Sequence, residues 1–178
     1  MAIRKATTAD AQSIVAVFNG FVTRHDFGVK PSWTEEMVLR NIADPRQLTL
    51  VMDDGGVSAF FLLWIENGVA RVQSAAWTLA LETARPDPQF TFSDWMADHQ
   101  AEIGATTIEA LWHKTNPFGA LVLRAMAAGM LQPTGGYIGK ETQVTQEGDF
   151  VHMVATLDSF GKWYKQRKPI NWTRLYSA

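Results

Sequence analysis

Three consecutive strand patterns, spanning residues 48–77, constrain the fold more than any other part of the 178-residue chain. The patterns "LTLVM", "VSAFFLLWI" and "VARVQSAAW" are separated by the turn signals "DDGG" and "ENG", which predicts an antiparallel meander. Asn67-Gly68 is the residue pair that a tight primed hairpin turn requires. Because the middle strand is apolar from Ala59 to Ile65, both of its faces need cover, which indicates a sheet inside a layered α/β structure.

Two helices are predicted between a first short strand, "AIRKAT", and this meander. The first is expected to start at Thr7 or Thr8 and to stop at Gly20, since hydrophobic residues between them recur at helical spacing. The second contains Ser32 and Glu35 at capping-box spacing and ends before Pro45. The chain therefore begins β-α-α before it enters the meander.

Alternating elements are predicted after the meander. A polar connection, "LETARPDPQ", leads to a helix through "TFSDWMADHQAEIG" with Ser93 as its cap, and the strand "TTIEALW" follows. A helix, "PFGALVLRAMAAG", ends at Gly129, and the strands "GYIGKETQV" and "FVHMVATL" come last. The predicted order is β-α-α-β-β-β-α-β-α-β-β, an α/β fold with a mixed sheet. We expect one domain over residues 1–157 and a C-terminal arm over residues 158–178.

The composition excludes several classes of protein. With 47% hydrophobic and 19% charged residues the chain is ordinary globular protein, and a net charge of −2 lacks the basic excess of a nucleic-acid-binding protein. The chain has no cysteine, which rules out disulfides and thiolate metal sites. The longest apolar run, Ala59 to Ile65, is too short to span a bilayer, and the N-terminus has no signal-peptide pattern. A cytoplasmic protein is expected.

Three stretches in order carry a resemblance to a known family. "IRKATTADAQSIVAVFN" is similar to the first strand and helix of the GNAT family of N-acetyltransferases, and "DDGGVSAFFLLWIENGVARVQSA" to its second to fourth strands. "NPFGALVLRAMAAGM" looks like its fourth helix, which begins with an Asn and closes with a Gly. The resemblance covers the chain from Ile3 to about Leu157. It implies the GNAT fold and, where the site is kept, acetyl transfer from acetyl-CoA to an amine.

The cofactor loop of that family is poorly matched. After the fourth strand the family has Gln or Arg, two residues, Gly, one residue, then Gly or Ala, because a pyrophosphate must approach backbone N–H groups closely. Here the best match is "RVQSAA", with Ser74 where the glycine belongs, and no glycine follows before Pro88. If CoA binds, the resemblance implies contacts at Gln73, Ser74, Ala75, Ala76 and Asn116.

The general acid of many family members is also missing. Their tyrosine, four residues before the glycine that ends the fourth helix, corresponds to Ala125 here. Asn116 sits where the family contacts its cofactor, but an N-cap of the following helix explains this residue better. The sequence therefore identifies no catalytic residue and favours no cofactor, with acetyl-CoA expected only if the protein is an enzyme.

The remaining polar residues form no recognisable motif. His25 beside Asp26 could deprotonate an amine on the acceptor side of the family's layout, although solvated loop residues are the simpler interpretation. Glu66 and the aspartates of "DDGG" are explained by turn chemistry. No metal site is expected, because the histidines show no ligand spacing; they are His25, His99, His113 and His152.

The C-terminal arm is basic and aromatic. Between Gly161 and Ala178 there are five Lys or Arg, no Asp or Glu, and four interleaved aromatic residues. Such residues anchor protein interfaces and also stack on nucleic-acid strands, although packing of the arm on its own domain is equally compatible. The predicted interaction residues are Lys162, Trp163, Tyr164, Lys165, Arg167, Lys168, Trp172, Arg174 and Tyr176.

Two functions follow from these patterns. The favoured hypothesis is a GNAT-fold protein that has lost acetyl-CoA chemistry and binds other protein chains through the arm. In character it resembles the small GNAT-like internal virion proteins of short-tailed bacteriophages, which would place it in a virion. The alternative is an active acetyl-CoA-dependent N-acyltransferase with a divergent cofactor loop. It would bind CoA in an opening between the fourth and fifth strands. A nucleic-acid binder using "KWYKQRKPINWTR" is a third, less favoured hypothesis, since the rest of the chain is acidic.

Overall fold

Seven strands form one mixed sheet in the computed structural model of the chain, which describes residues 2–25, 30–84, 88–114, 116 and 142–158. Their order across the sheet is β1-β2-β3-β4-β5-β7-β6. Among these strands β4 and β5 pair in parallel, and every other neighbouring pair is antiparallel. The strands are β1 Ala2–Lys5, β2 Gln47–Asp53, β3 Val57–Glu66, β4 Val69–Trp77, β5 Thr107–His113, β6 Thr142–Glu147 and β7 Phe150–Thr156.

Helices flank the sheet in the order that the sequence predicts. A short 3₁₀ turn at Thr8–Asp10 leads directly into the first α-helix, and α5 leads into β5 through Gly104. The described helices are α1 Ala11–Arg24, α2 Glu35–Ala43, α3 Leu79–Ala84, α4 Pro88–Asp98 and α5 Gln100–Ile103. The predicted mixed α/β fold is therefore confirmed.

The middle strand β3 is covered on both faces, as its apolar run predicts. Phe60 packs towards α1, with its ring centroid 6.4 Å from Phe18 and 5.3 Å from Trp33. Phe61 points to the opposite face and stacks on Phe92 of α4 at 5.5 Å. We call these the α1 face and the α4 face. Burial of such side chains on both faces is the main force that holds the two helical layers to the sheet.

The hairpin between β3 and β4 has the predicted conformation. Asn67 and Gly68 have φ values of 51° and 77°, as a type I′ turn demands of both central residues. The carbonyl of Gly68 also accepts hydrogen bonds from the backbone N–H groups of Thr106 at 3.0 Å and Thr107 at 3.3 Å. This hairpin therefore fixes the start of β5 as well as joining β3 to β4.

An ion network ties the first strand to the rest of the sheet. Arg4 donates two hydrogen bonds of 2.8 Å to the two oxygens of Asp10 and also bonds Asp53 at 2.8 Å. The backbone N–H of Thr7 adds a bond of 2.7 Å to Asp10. These donors, Arg4 first, hold the pKa of Asp10 far below its usual range although burial opposes them. The carboxylate is thus fully ionised and satisfied inside the fold.

Several predicted element boundaries differ from the structure. Helix α1 continues past Gly20 to Arg24, because Phe21 and Val22 beyond the glycine are buried in the core and override its weak helix propensity. Thr34, rather than Ser32, caps α2 by accepting the backbone N–H of Met37.

The polar connection predicted after β4 is mostly helical. Its first residues form α3, and its last ones belong to α4, which begins at Pro88, as the first position of a helix allows. Ser93 consequently lies inside α4 and does not cap it. The predicted helix over residues 117–129 and the arm over residues 159–178 lie outside the described residues. Among those described, no helix has the length and apolar character to cross a membrane.

Candidate functional site

The parallel strands β4 and β5 pair over only part of their length. Three residue pairs join them, and the last is Arg71 with Glu109. Beyond this pair β4 continues to Trp77 and β5 to His113 without further pairing to each other. From Val72 onward, the backbone of β4 on the side that faces β5 is therefore not paired with β5. We refer to this gap as the β4–β5 opening.

The register of β4 shifts at the lower end of this opening, which is the end next to the Arg71–Glu109 pair. Leu63 pairs with Val72, but Leu62 pairs with Ser74, so that Gln73 is an extra residue on β4, as in a β-bulge. Gln73 is exposed. Bulges bend a strand and re-aim its backbone groups, and they are common beside active sites.

The residues predicted to contact CoA lie along the opening but not in a loop. Arg71 to Ala76 belong to β4: Ser74 pairs with Leu62, and Ala76 is buried opposite Phe60. The strand predicted over residues 69–77 is confirmed, and no turn-forming residue interrupts β4 before it ends at Trp77. Whether these residues contact a cofactor stays a prediction.

The chain turns directly from β4 into a helix, where the family has its glycine loop. Thr78 follows the strand, and its hydroxyl accepts the backbone N–H of Leu81 in the first turn of α3. Arg24 of α1 donates a hydrogen bond of 2.7 Å to the carbonyl of Trp77. The end of β4 is thus closed by a capped helix start and an arginine.

The second predicted contact residue, Asn116, follows β5. Its backbone N–H donates to the carbonyl of His113 at 2.8 Å, which forms a tight turn, and the residue is partly buried. Gln73 to Ala76 therefore lie on β4, and Asn116 lies just after β5, the other strand that borders the opening. The helix that Asn116 was predicted to cap lies outside the described residues.

A chain of four charged or titratable side chains crosses the sheet at the lower end of the opening. Arg71 lies between Glu66, at 2.9 Å, and Glu109, at 2.6 Å. The other oxygen of Glu109 is 2.7 Å from Nε2 of His152 on β7. Arg71 pairs with Trp64, which lies on the same face of β3 as Phe60, so these four side chains lie on the α1 face. We call Glu66, Arg71, Glu109 and His152 the polar row.

The electrostatics of the polar row keep Glu109 ionised. Its hydrogen bond with His152 lowers the pKa of the Glu109 carboxyl, burial opposes this shift, and Arg71 lowers the pKa further. In turn the pKa of Arg71 is raised by Glu109 and then by Glu66. The side chains of Glu109 and His152 remain 26% and 32% exposed, so that solvent and solutes reach the imidazole. An imidazole fixed by a carboxylate is suited to accept a proton.

No protein-family model and no curated protein matches the sequence. Solved structures do match its fold. PaiA N-acetyltransferase from Thermoplasma acidophilum, solved with coenzyme A, has a TM-score of 0.59 at 14% identity, covering 87% of this chain and 98% of that one. The GNAT domain of S. lividans PAT has a TM-score of 0.60 at 16% identity, covering 86% and 89%.

A third match is the ribosomal-protein-S18-alanine N-acetyltransferase from Escherichia coli, with a TM-score of 0.56 at 16% identity, covering 88% of this chain and 93% of that one. The chain has the GNAT N-acetyltransferase fold. At such low identities the likeness establishes the fold and leaves the reaction open. Nothing in these comparisons concerns bacteriophage virion proteins or a loss of activity, so that part of the favoured hypothesis stays a prediction.

Sequence patterns alone did not single out the polar row on this GNAT fold. A signal was present, however: three strands each place a charged or titratable residue between two apolar ones. These triplets are Ala70-Arg71-Val72, Ile108-Glu109-Ala110 and Val151-His152-Met153. The apolar flanks are buried or partly buried. Strand alternation puts the central residue on the opposite face, and only the sheet order reveals that the three are neighbours.

The other histidines serve packing. His25 is buried at the end of α1, with its ring 4.7 Å from that of Phe21, while its predicted partner Asp26 lies outside the described residues. His99 stacks on Trp95 at 4.1 Å and bonds its carbonyl through Nδ1. Within the described parts of the chain, no three acidic or histidine side chains are grouped closely enough to hold a metal ion.

Proposed function

We propose that the protein transfers an acyl group from an acyl-CoA thioester to an amine, the alternative that the sequence left open. The observation that carries the proposal is the β4–β5 opening, whose lower end is closed by the Arg71–Glu109 pair and whose wall carries the register shift at Gln73. Neither feature is needed to hold a sheet together, because a continuous ladder would satisfy more backbone groups.

The strand edge fits one part of CoA well. The pantetheine arm is an extended chain with two amide groups, and extended amides bind sheet edges by adding a further strand. From Val72 to Ala76 the edge of β4 that faces β5 is left over from the ladder and is available for such bonds. These residues would hold and orient the arm along the strand.

The other end of CoA meets a different surface. No glycine occurs between Gly68 and Gly104, so nothing at the start of α3 allows the close backbone approach that a glycine loop gives to a pyrophosphate. Arg24 is the described cation beside the end of β4. We therefore expect the pantetheine arm to supply more of the binding free energy, and the phosphates less, than a glycine loop would allow.

The reaction needs little else from the chain. When bound, an acyl-CoA supplies an activated thioester carbonyl. The protein has to hold this carbonyl near the Arg71–Glu109 pair, admit an amine from the α1 face, and provide an acceptor for the proton of the amine. Orientation of this kind converts a bimolecular encounter into a unimolecular step and lowers the barrier accordingly.

Calorimetric titration of acetyl-CoA, with thermal unfolding alongside, tests the proposal. We expect micromolar binding, and at 100 times the dissociation constant a stabilisation of about 2.7 kcal/mol by mass action. S-acetylpantetheine, which lacks all phosphates, should keep more of the affinity than adenosine 3′,5′-bisphosphate. If acetyl-CoA gives neither heat nor a thermal shift at millimolar concentration, the proposal is wrong.

A second candidate is the module without acyl-transfer activity, as in a virion component. The direct step from β4 into α3 through Thr78, without a glycine loop, favours it. It predicts assembly with other protein chains through residues 158–178. Light scattering on the full chain with Trp163→Ala and Trp172→Ala would then show a smaller assembly than the unmodified chain forms, together with no response to CoA.

A further inference from the structure

His152 lies on β7, next to the strand β5 that borders the β4–β5 opening; one of its ring nitrogens is fixed, and the other has no partner among the described residues. We infer that His152, held by Glu109, accepts the proton of the attacking amine; this inference rests on the proposed acyl transfer. The role belongs to no residue that the sequence patterns indicated. It follows from the register of three strands and from the contacts of one imidazole.

The contacts of His152 determine which of its nitrogens is basic. An ionised carboxylate only accepts hydrogen bonds, so the bond of 2.7 Å between Nε2 and Glu109 requires the proton on Nε2. In the neutral imidazole the lone pair then lies on Nδ1. No described residue makes a hydrogen bond to that nitrogen. The side chain is 32% exposed, so a solute or a bridging water can approach the imidazole.

The strand register puts His152 at the level of the opening. Glu109 pairs with Arg71 at the last closed position, whereas His152 pairs with Leu111, further along β5 where β5 has left β4. Neighbouring strands lie about 5 Å apart. An amine that enters the opening from the α1 face therefore comes within reach of Nδ1, directly or through one water.

Glu109 is itself held in place, which limits the motion of the imidazole. Arg71 occupies the second oxygen of Glu109 through Nε, and Glu66 holds Arg71 from the end of β3. Glu109 is therefore a positioning residue, and its charge also favours the imidazolium that forms when His152 takes a proton. The contacts from Glu66 on β3 through Arg71 and Glu109 thus hold the imidazole of His152, three strands away, in one orientation.

The surroundings of His152 also suggest the class of amine. Leu111 and Phe150, on the same face, are 59% and 47% exposed, which is unusual for large apolar side chains beside a polar row. The polar row carries the charges of Glu66, Arg71 and Glu109, and His113 and the Lys114–Asp149 pair lie at the far end of the strands. Arg46, paired with Asp44, lies over Trp64 on the same face. Most of these are already paired, which leaves little negative charge for a polycation. A primary amine on an apolar or aromatic group fits better.

The step balances without a further reactant. The amine nitrogen attacks the thioester carbonyl carbon; the carbon–nitrogen bond forms, and the carbon–sulfur bond breaks. The proton of the amine passes to Nδ1 of His152 and from there to solvent or to the leaving thiolate. The products are an amide and a thiol, and nothing is oxidised or reduced.

The test compares His152→Gln with His99→Gln in the full chain. His99 is stacked on Trp95 away from the opening and serves as the matched control. With acetyl-CoA and 2-phenylethylamine, released thiol is measured colorimetrically, and the absence of cysteine leaves no background from the protein. We expect H152Q to lower kcat/KM by about 10²- to 10⁴-fold, with acetyl-CoA affinity unchanged and H99Q close to wild type.

The separation of catalysis from binding provides a readout that a purely structural role would not show. H152Q should keep the wild-type thermal shift and calorimetric affinity for acetyl-CoA while kcat/KM falls, whereas a variant that damages the fold would lose both. A wild-type rate in H152Q, with acetyl-CoA bound, would overturn the role of His152 and leave the proposed function intact. If the unmodified protein binds no acetyl-CoA, both are overturned.

Discussion

Arg4 and Arg71 each bridge two carboxylates, yet their surroundings differ. Around Arg4 the network is closed: Asp10 receives both guanidinium nitrogens and the backbone of Thr7, and its side chain is only 9% exposed. Around Arg71 the network ends in the partly exposed ring of His152. The same residue types therefore serve stability at one end of the sheet and leave a reactive group at the other.

The difference teaches how to tell a structural ion network from a functional one. In the first, every polar atom of the buried carboxylate has a partner within the fold, so nothing remains for a solute. In the second, Nδ1 of His152 has no hydrogen-bond partner among the described residues, and it belongs to a strand next to the gap between β4 and β5. The two networks are distinguished by whether a polar atom remains without a partner, and not by the number of their ion pairs.

The largest expected effect separates the two networks by activity. Glu109→Gln should lower kcat/KM about 10²-fold, because the amide cannot stabilise the imidazolium or hold its neutral form in one orientation. Asp10→Asn should leave the activity of the folded protein unchanged. Steady-state kinetics on both variants measures these effects. An equal loss of kcat/KM in the two variants would contradict the assignment of different roles to the two networks.

Stability should show the opposite order. Arg4→Ala strands the buried carboxylate of Asp10 and should cost about 2 kcal/mol of unfolding free energy, since a buried charged group loses its partners. Arg71→Ala should cost less, because Glu109 keeps His152 and contact with solvent. Urea unfolding measures both. Arg40→Ala, which removes a highly exposed pair with Glu36, is the control and should change little. An equal loss for Arg4→Ala and Arg40→Ala would show that the closed network is not stabilising.

Strong acid should weaken the closed network around Asp10. The pKa of Asp10 is depressed in the folded state, so its contribution is complete above the pKa of an unfolded aspartate, about 3.9, and is lost as the pH falls below that value. Urea midpoints from pH 7 to pH 2 should therefore fall more steeply for the wild type than for Asp10→Asn. Parallel curves would mean that other carboxylates control acid unfolding.

The smallest effect concerns the hairpin that supports the polar row. Gly68→Ala should cost about 1 kcal/mol, because φ is +77° and the space around the position is open, so that only backbone strain opposes the change. Gly56→Ala, in the neighbouring turn without a positive φ, should be close to neutral. Thermal unfolding compares the two, and equal shifts in melting temperature would argue against strain at Gly68.

Local patterns predicted most of the fold, because its strands and turns are encoded locally. The meander, the turn at Asn67-Gly68 and the covered strand β3 follow from alternation, turn residues and one apolar run. Helix limits were less predictable: Gly20 favours a stop, but burial of Phe21 and Val22 prolongs α1. Where packing and propensity conflict, a local pattern cannot show which one prevails.

The site was harder to predict, for a physical reason. Arg71, Glu109 and His152 are distant in sequence, and their contacts depend on β7 inserting between β5 and β6. The family pattern drew attention instead to Ser74 and Ala76, which lie on β4 but outside the polar row. Residues that meet only through strand order carry no local signature, so each one alone is indistinguishable from an ordinary surface residue.

The extra residue at Gln73 has a consequence for how β4 tolerates change in length. Because of this extra residue, the alternation of side chains between the two faces shifts by one position within β4. Arg71 and Ser74 therefore share one face, and Val72 and Ala75 share the other. Deleting any one residue from Gln73 to Ala76 would remove the bulge and restore simple alternation, while the residues on both sides, including the buried Trp77, would keep their faces. This stretch is therefore the part of β4 that can lose one residue without turning core side chains towards solvent, whereas a second deletion would reverse the faces on one side of it.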